Sequence, residues 1–280
     1  MNNLLTFKTF QEFLTHNQRH IQDNYFTYYH FIRVLNTLES GKLELFDAYN
    51  VIDDDGNFII CLWVTGNYFV YSDKWTDKMI ETLIEKVNVE RFKNFTFLGQ
   101  RDLVIQLFEK NNVEYEVFKD RLIYECKCIA PSLIPKVGKT ENATYYDFDE
   151  LVQMSMDNYI EEYDGKGKKT IDDMKIAVSH GIEKSSLFLL RDNGIICSIV
   201  QVINDTEDEP MIGNLFTKKA MRNKGYGYSL LHTVTEGLLN GYEKCGLISD
   251  IKNPASNKVF INIGYKVIYK WIDVFKEKHL

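Results

Sequence analysis

The chain states one pattern twice, and that repetition constrains its fold more than any other feature. Near the front, Asp53–Val64 reads DDDGNFIICLWV, a turn followed by a strand. Near the back, Arg191–Val202 reads RDNGIICSIVQV, the same order, preceded by the strand-like SLFLL. Asp-Gly and Asn-Gly steps favour the positive φ angles of tight turns, so both stretches predict β-hairpins. A second pair of segments repeats in the same way. Residues 103–118, LVIQLFEKNNVEYEVF, predict a short helix, an Asn-Asn stop and a strand. Residues 256–271, SNKVFINIGYKVIYKW, predict a short helix, a glycine stop and a strand. Phe108 and Phe260 hold matching places before the two stops. Two copies of one α+β unit account for the pattern, against chance likeness of short hairpins.

The copies differ in length. Gly56 to Phe108 spans 52 positions and Gly194 to Phe260 spans 66. In the second copy a strand, MIGNLF, runs into TKKAMRNKGYGYSLL (Thr217–Leu231), with three lysines, one arginine and two glycines ahead of a helical run. The first copy passes from YFVYS through DKWT straight into a helix at Asp77–Val87. The stretch Ala130–Thr140 holds two of the four prolines and no amphipathic period, so it is expected to be a linker. The expected division is residues 1–130, a linker at 131–143, and 144–280. Beyond the linker, Asp147 and Glu150 have the spacing of a capping box. Phe148, Leu151, Val152, Ser155 and Tyr159 then form one helical face, and a second helix is expected at Asp172–Lys184.

A net charge of −7 argues against general nucleic-acid binding. The five cysteines are odd in number and lack a C-x-x-C pair, which fits a reduced, cytoplasmic chain, and no metal site is expected at Cys126 and Cys128. The start MNNLLTFKTFQEFL has no apolar core of the signal-peptide kind. The longest apolar run, Phe58–Val64, is too short to span a bilayer, so no membrane role is expected.

The basic loop suits an anion. The first turn of a helix has amides without intrahelical partners, and the helix dipole adds partial positive charge there. Gly225 and Gly227 let backbone approach a ligand closely, and Lys218, Lys219, Arg222 and Lys224 add full charges. A P-loop would need Lys-Ser/Thr after its second glycine, and a dinucleotide fingerprint would need a third glycine where Leu230 stands. Neither fits.

RNKGYG (Arg222–Gly227), with a strand before and a helix after, fits [RQ]-x-x-G-x-[GA] and resembles the acetyl-CoA loop of the GCN5-related N-acetyltransferases, the GNAT superfamily. GNLFT (Gly213–Thr217) is similar to that family's fourth strand, and Leu247–Tyr265 to its strand–Asn–helix–Gly–aromatic module. The resemblance covers roughly residues 144–275. The front copy looks like the same unit without its cofactor loop. The resemblance implies an α/β (α+β) chain of two GNAT-like domains, each a mixed, mostly antiparallel sheet flanked by helices. It implies an acetyl-CoA-dependent N-acetyltransferase acting on a small amine or amino acid, alternatively a weakly catalytic CoA-binding protein. The backbone of Leu215, Phe216 and Thr217 would pair with pantetheine. The amides of Arg222, Asn223, Lys224, Gly225, Tyr226 and Gly227 would cradle the pyrophosphate. Asn253 would bond the pantetheine arm, and Asn257 or Lys258 would reach the adenosine end.

Two departures concern catalysis. The family often carries a glutamate base on the fourth strand, and PMIGNLF has no acid; Glu207, Asp208, Glu209 and Asp250 are the nearby candidates, with Asp250 the preferred one. The family's tyrosine acid falls on Phe260, which has no proton to give; its ring is expected at the thioester end. Either Tyr226, Tyr228 or water substitutes, or the thiolate leaves without help, or this half binds CoA and catalyses little. Glu161 and Glu162, in the connection between the two C-terminal-half helices, would favour a cationic acceptor.

Overall fold

The computed structural model describes residues 3–276 apart from 93–94, 132–133, 135 and 204–208. Its elements form two series of one order. The first is β1 (Asn3–Thr6), α1 (Phe10–Asp23), α2 (Tyr25–Glu39), β2 (Leu45–Ile52), β3 (Phe58–Val64), β4 (Asn67–Tyr71), α3 (Asp77–Lys86), β5 (Thr96–Gln100), α4 (Arg101–Lys110) and β6 (Tyr115–Cys126). The second is β7 (Lys139–Asn142), α5 (Phe148–Glu162), α6 (Ile171–Glu183), β8 (Leu187–Asp192), β9 (Ile195–Ile203), β10 (Met211–Thr217), α7 (Tyr226–Leu239), β11 (Cys245–Asp250), α8 (Pro254–Ile263) and β12 (Lys266–Lys276). The fold is mixed α/β, with strands of both directions.

The chain packs as two compact units, and they do not divide it at one point. Unit 1 takes the chain up to Ile123, Ser249–Lys252, and the chain from Val267; unit 2 takes Tyr124–Ile248 and Asn253–Lys266. The contiguous division at 131–143 therefore differs from the packing. Within unit 1 the strand order is β1-β2-β3-β4-β5-β12, antiparallel except for the parallel pair β4–β5. The strand beside β5 is thus the last strand of the second series, with Trp271 opposite Gln100. Within unit 2, β7-β8-β9-β10 are antiparallel, β11 lies parallel to β10, and the end of β6, from Tyr124, sits beside β11.

Alternation along the strands builds each core. In unit 1, Val51, Ile59, Val70, Phe97, Ile272 and Val274 meet Met79, Ile80 and Leu83 of α3 and Leu103, Val104 and Phe108 of α4. In unit 2, Leu151, Val152 and Met154 of α5 pack with Met174 and Val178 of α6 against Leu189, Ile196, Ile199 and Phe216 of the sheet. No helix among the described residues is long and apolar enough to cross a membrane.

The helix starts show local sequence at work. Thr9, Thr76 and Gln100 accept hydrogen bonds from first-turn amides of α1, α3 and α4. The capping box expected at Asp147 is absent, because the Asp147 carboxylate instead accepts from Arg191, 2.9 Å away. A charge-assisted bond to a guanidinium outcompetes a neutral amide. A full capping box exists one helix later, between Thr170 and Asp173 at the start of α6.

Candidate functional site

The two units differ most where β4 or β10 meets its parallel neighbour. In unit 1, β4 and β5 pair at four positions, ending at Val70 and Gly99. Gly99 has φ +141°, and a Cβ there would sit 1.9 Å from the Val70 carbonyl oxygen. Backbone lies against backbone, and the pair is closed. In unit 2, the β10–β11 register among the described residues runs through Met211–Gly246 and Ile212–Leu247. The next residues leave the ladder. Asn214 adopts φ +54°, and the register of β10 against β9 shifts between Gly213 and Phe216, a bulge that turns the strand. Leu215, Phe216 and Thr217 therefore lie beyond the point where β10 and β11 part.

The end of β10 is held on its other side. The Ser198 hydroxyl donates to the Phe216 carbonyl at 2.8 Å and bonds the Thr217 hydroxyl at 2.9 Å. A 3-10 turn at Lys219–Met221 comes next. Asn223 (φ +61°) and Gly225 (φ +84°) both take the left-handed region, which aims the chain into α7. Gly225 is the N-cap of α7 and offers no side chain, so the first-turn amides carry no side-chain cap. The matching helix of unit 1 has Thr76 in that role. A Cβ on Gly227 would lie 2.9 Å from the Thr217 hydroxyl oxygen, so that turn is built close to β10. These residues fit an anionic group: first-turn amides without a side-chain cap and two left-handed residues.

The cations around the loop are mostly engaged by α5. Lys218 pairs with Glu150. Arg222 donates to Glu161 at 2.7 Å, and Lys219 lies 3.4 Å from the same carboxylate. The Arg222 Nε also donates to the Thr217 carbonyl at 3.0 Å, and its guanidinium lies 5.5 Å from the centre of the Phe216 ring. Positive charge in an acidic chain is thus explained in part by two acids of α5. Glu150 reads in the sequence only as a capping-box partner. Its spacing to Glu161 is eleven positions, close to three helical turns, and that places both acids on one face.

Residues 198–272 match a family model described as FR47-like protein. Solved structures match across both units. A GNAT-family acetyltransferase from Colwellia psychrerythraea is 13% identical with a TM-score of 0.57, and the match covers 99% of this chain and 100% of that one. The fold is that of the GNAT superfamily. A Drosophila protein is 13% identical with a TM-score of 0.54 over 98% of this chain and 99% of that one. A GCN5-related N-acetyltransferase from Sphaerobacter thermophilus is 15% identical with a TM-score of 0.53 over 82% and 80%. No curated protein matches.

Within this GNAT fold α7 and α8 carry most of the remaining site candidates. Asn253 caps α8, accepting from the Ser256 amide at 3.1 Å, with Pro254 as the first helical residue. Asn257, one turn on, is buried. Phe260 is also buried, edge-on to Tyr124 with ring centres 5.6 Å apart. The Tyr124 hydroxyl is buried without a hydrogen-bond partner among the described residues. Tyr226 donates to the Asp192 carboxylate at 2.6 Å, and that bond pushes its pKa up to about 12. Tyr228 is buried on α7.

Asp250 is not gathered with the loop. It belongs to unit 1, accepts from the Lys252 amide at 2.8 Å and lies 3.6 Å from the Lys119 ammonium. It braces the turn before α8. Glu209 pairs with Lys244 at 2.8 Å. Glu207 and Asp208 lie outside the described residues. Glu161 holds two loop cations, and Glu162 is half-buried in the last turn of α5. Unit 2 thus assembles Leu215–Thr217 and Arg222–Gly227 as one loop-and-strand feature, with Asn253, Asn257 and Phe260 together on α8.

Proposed function

We propose that the chain is a CoA-dependent acyltransferase, an N-acetyltransferase for a small amine or amino acid, and that unit 2 alone holds the cofactor. The observation that carries this is the pairing of an uncapped α7 start with the parting of β10 from β11. Unit 1 has neither feature: Thr76 caps α3, and Gly99 closes β5 onto β4. The amides from Arg222 to Gly227 would hold the pyrophosphate, and the backbone at Leu215–Thr217, past the β10–β11 pairs, would hold the pantetheine arm. Asn253, Asn257 and Phe260 would face it from α8. Bound acetyl-CoA supplies an activated acyl group. The chain's own part is to hold it, orient it and shield it from water.

One observation favours a weak catalyst instead. Phe260 carries no hydroxyl, Tyr226 is tied to Asp192, and Asp250 is tied to Lys119, so acid–base assistance is thin around the loop. Binding and turnover separate the two. The full chain should gain about 2.7 kcal/mol of stability at a hundredfold excess of CoA over Kd. It should release free thiol from acetyl-CoA with some member of an amine and amino-acid panel. A thermal shift without thiol release would support a binding protein. No shift with CoA or acetyl-CoA would end the cofactor assignment.

A further inference from the structure

Three of the four cations at the loop are already met by carboxylates of one helix. Lys218 is paired with Glu150, and Lys219 and Arg222 share Glu161, all on one face of α5. Arg222 is the most constrained of them. Its Nε is fixed on the Thr217 carbonyl, at the strand end beside the loop, and its outer nitrogen goes to Glu161 at 2.7 Å.

We propose that Glu161 is an internal counter-anion: it latches the end of α5 to the loop, and an anionic ligand entering the loop displaces it. This rests on the reading that the loop takes the pyrophosphate of CoA. An anion at the Arg222–Gly227 amides comes within reach of the guanidinium that Glu161 occupies. The two negative groups repel, and the surface ion pair gives way because such pairs are weak. The last turn of α5 then loses its anchor.

That turn is tied by hydrogen bonds to the connection between α5 and α6. The Lys169 amide donates to the Tyr159 hydroxyl at 3.1 Å, and the Gly165 amide bonds the Ile160 carbonyl at 2.9 Å. Loosening the Glu161 turn therefore loosens the 163–169 connection into α6. Cofactor occupancy is transmitted to the connection that the GNAT resemblance associates with the acceptor. By linkage, anything that holds α5 on the loop weakens cofactor binding by the same factor.

The test titrates CoA into the full chain as wild type, Glu161→Gln, Arg222→Gln and the double variant. An exposed ion pair that no longer competes for Arg222 changes affinity by up to about fivefold. Glu161→Gln should bind CoA about fivefold more tightly at low salt, and the gap should shrink near 0.5 M salt. In the Arg222→Gln background, where Glu161 keeps only Lys219, Glu161→Gln should change affinity far less. Amide exchange over residues 159–165 should quicken when CoA saturates the wild type, and should already be fast in Glu161→Gln without CoA. Equal or weaker binding by Glu161→Gln overturns the latch, as does a fivefold gain that persists without Arg222, or exchange that ignores CoA. Wild type that binds no CoA ends the cofactor reading, and the latch with it.

Discussion

Replacing Gly99 with alanine should unfold unit 1 selectively. A Cβ at this position would meet the Val70 carbonyl oxygen at 1.9 Å and its carbon at 2.7 Å, and φ is +141°. Neither atom is the end of a flexible side chain. Both belong to β4, paired with β5 through Val70 itself. Relief requires the strands to move apart by well over 1 Å, a distance that breaks ladder hydrogen bonds worth about 1 kcal/mol each. It also opens the layer where Val70, Phe97 and Ile272 are buried, with a cavity cost of about 2–5 kcal/mol. The expected loss is therefore at least ~3 kcal/mol, against a typical domain stability of about 5–15 kcal/mol. The assay is selective because Trp63, Trp75 and Trp271, the chain's three tryptophans, all lie in unit 1. Urea unfolding followed by tryptophan fluorescence should show the transition moved far down or lost. Gly227→Ala is the control: its nearest atom is a side-chain hydroxyl of unit 2 at 2.9 Å, so the tryptophan transition should stay in place. A Gly99→Ala transition shifted by less than about 1 kcal/mol would refute the closed-pair account.

Gly225→Val places a branched side chain at φ +84°, with Val137 the nearest group at 3.6 Å, so folding should lose only about 1–2 kcal/mol. CoA affinity should fall more than tenfold by calorimetric titration, and intact affinity would make Gly225 a turn residue only. Phe260→Tyr should raise thiol release, by up to ~10²-fold, if proton donation limits turnover. Because Phe260 is packed on Tyr124, the added hydroxyl should cost about 1–3 kcal/mol; unchanged release would show that the leaving thiolate needs no proton from this position. A fragment of residues 1–130 should fail to give a soluble monomer, since it lacks β12, and a well-dispersed amide spectrum from that fragment would contradict the pairing of β5 with β12.

Much of the fold was legible because its signals are local. The hairpin turns at Asp53–Gly56 and Asn193–Gly194 show the left-handed glycines that Asp-Gly and Asn-Gly foretell. The helices after YFVYS and after Gly225 begin within a residue of their expected places. The loop was legible as a glycine pair between strand and helix. What escaped was set by long-range pairing. Asp147 looked like a cap because its rival, Arg191, is 44 positions away. Glu161 looked available to an acceptor because its partners, Lys219 and Arg222, lie beyond three further strands. The packing of Phe260 on Tyr124 was not legible because Tyr124 arrives from the other series. The exchange of β12 left no local mark, because a strand of alternating apolar residues reads the same whichever edge it joins.

That exchange sets a timetable for synthesis. Trp271 pairs with Gln100, so the strand that completes unit 1 leaves the ribosome about 170 residues after the edge it must cover. At about 5–20 residues per second, β5 waits roughly 10–35 seconds with its backbone donors and acceptors open. Throughout that interval the nascent chain presents an unpaired strand edge, the kind that recruits neighbouring chains. Unit 1, first to be translated, is therefore among the last parts to be finished. Slowing translation late in the message, between the codons for Gln100 and Trp271, would lengthen the exposure without altering a single residue.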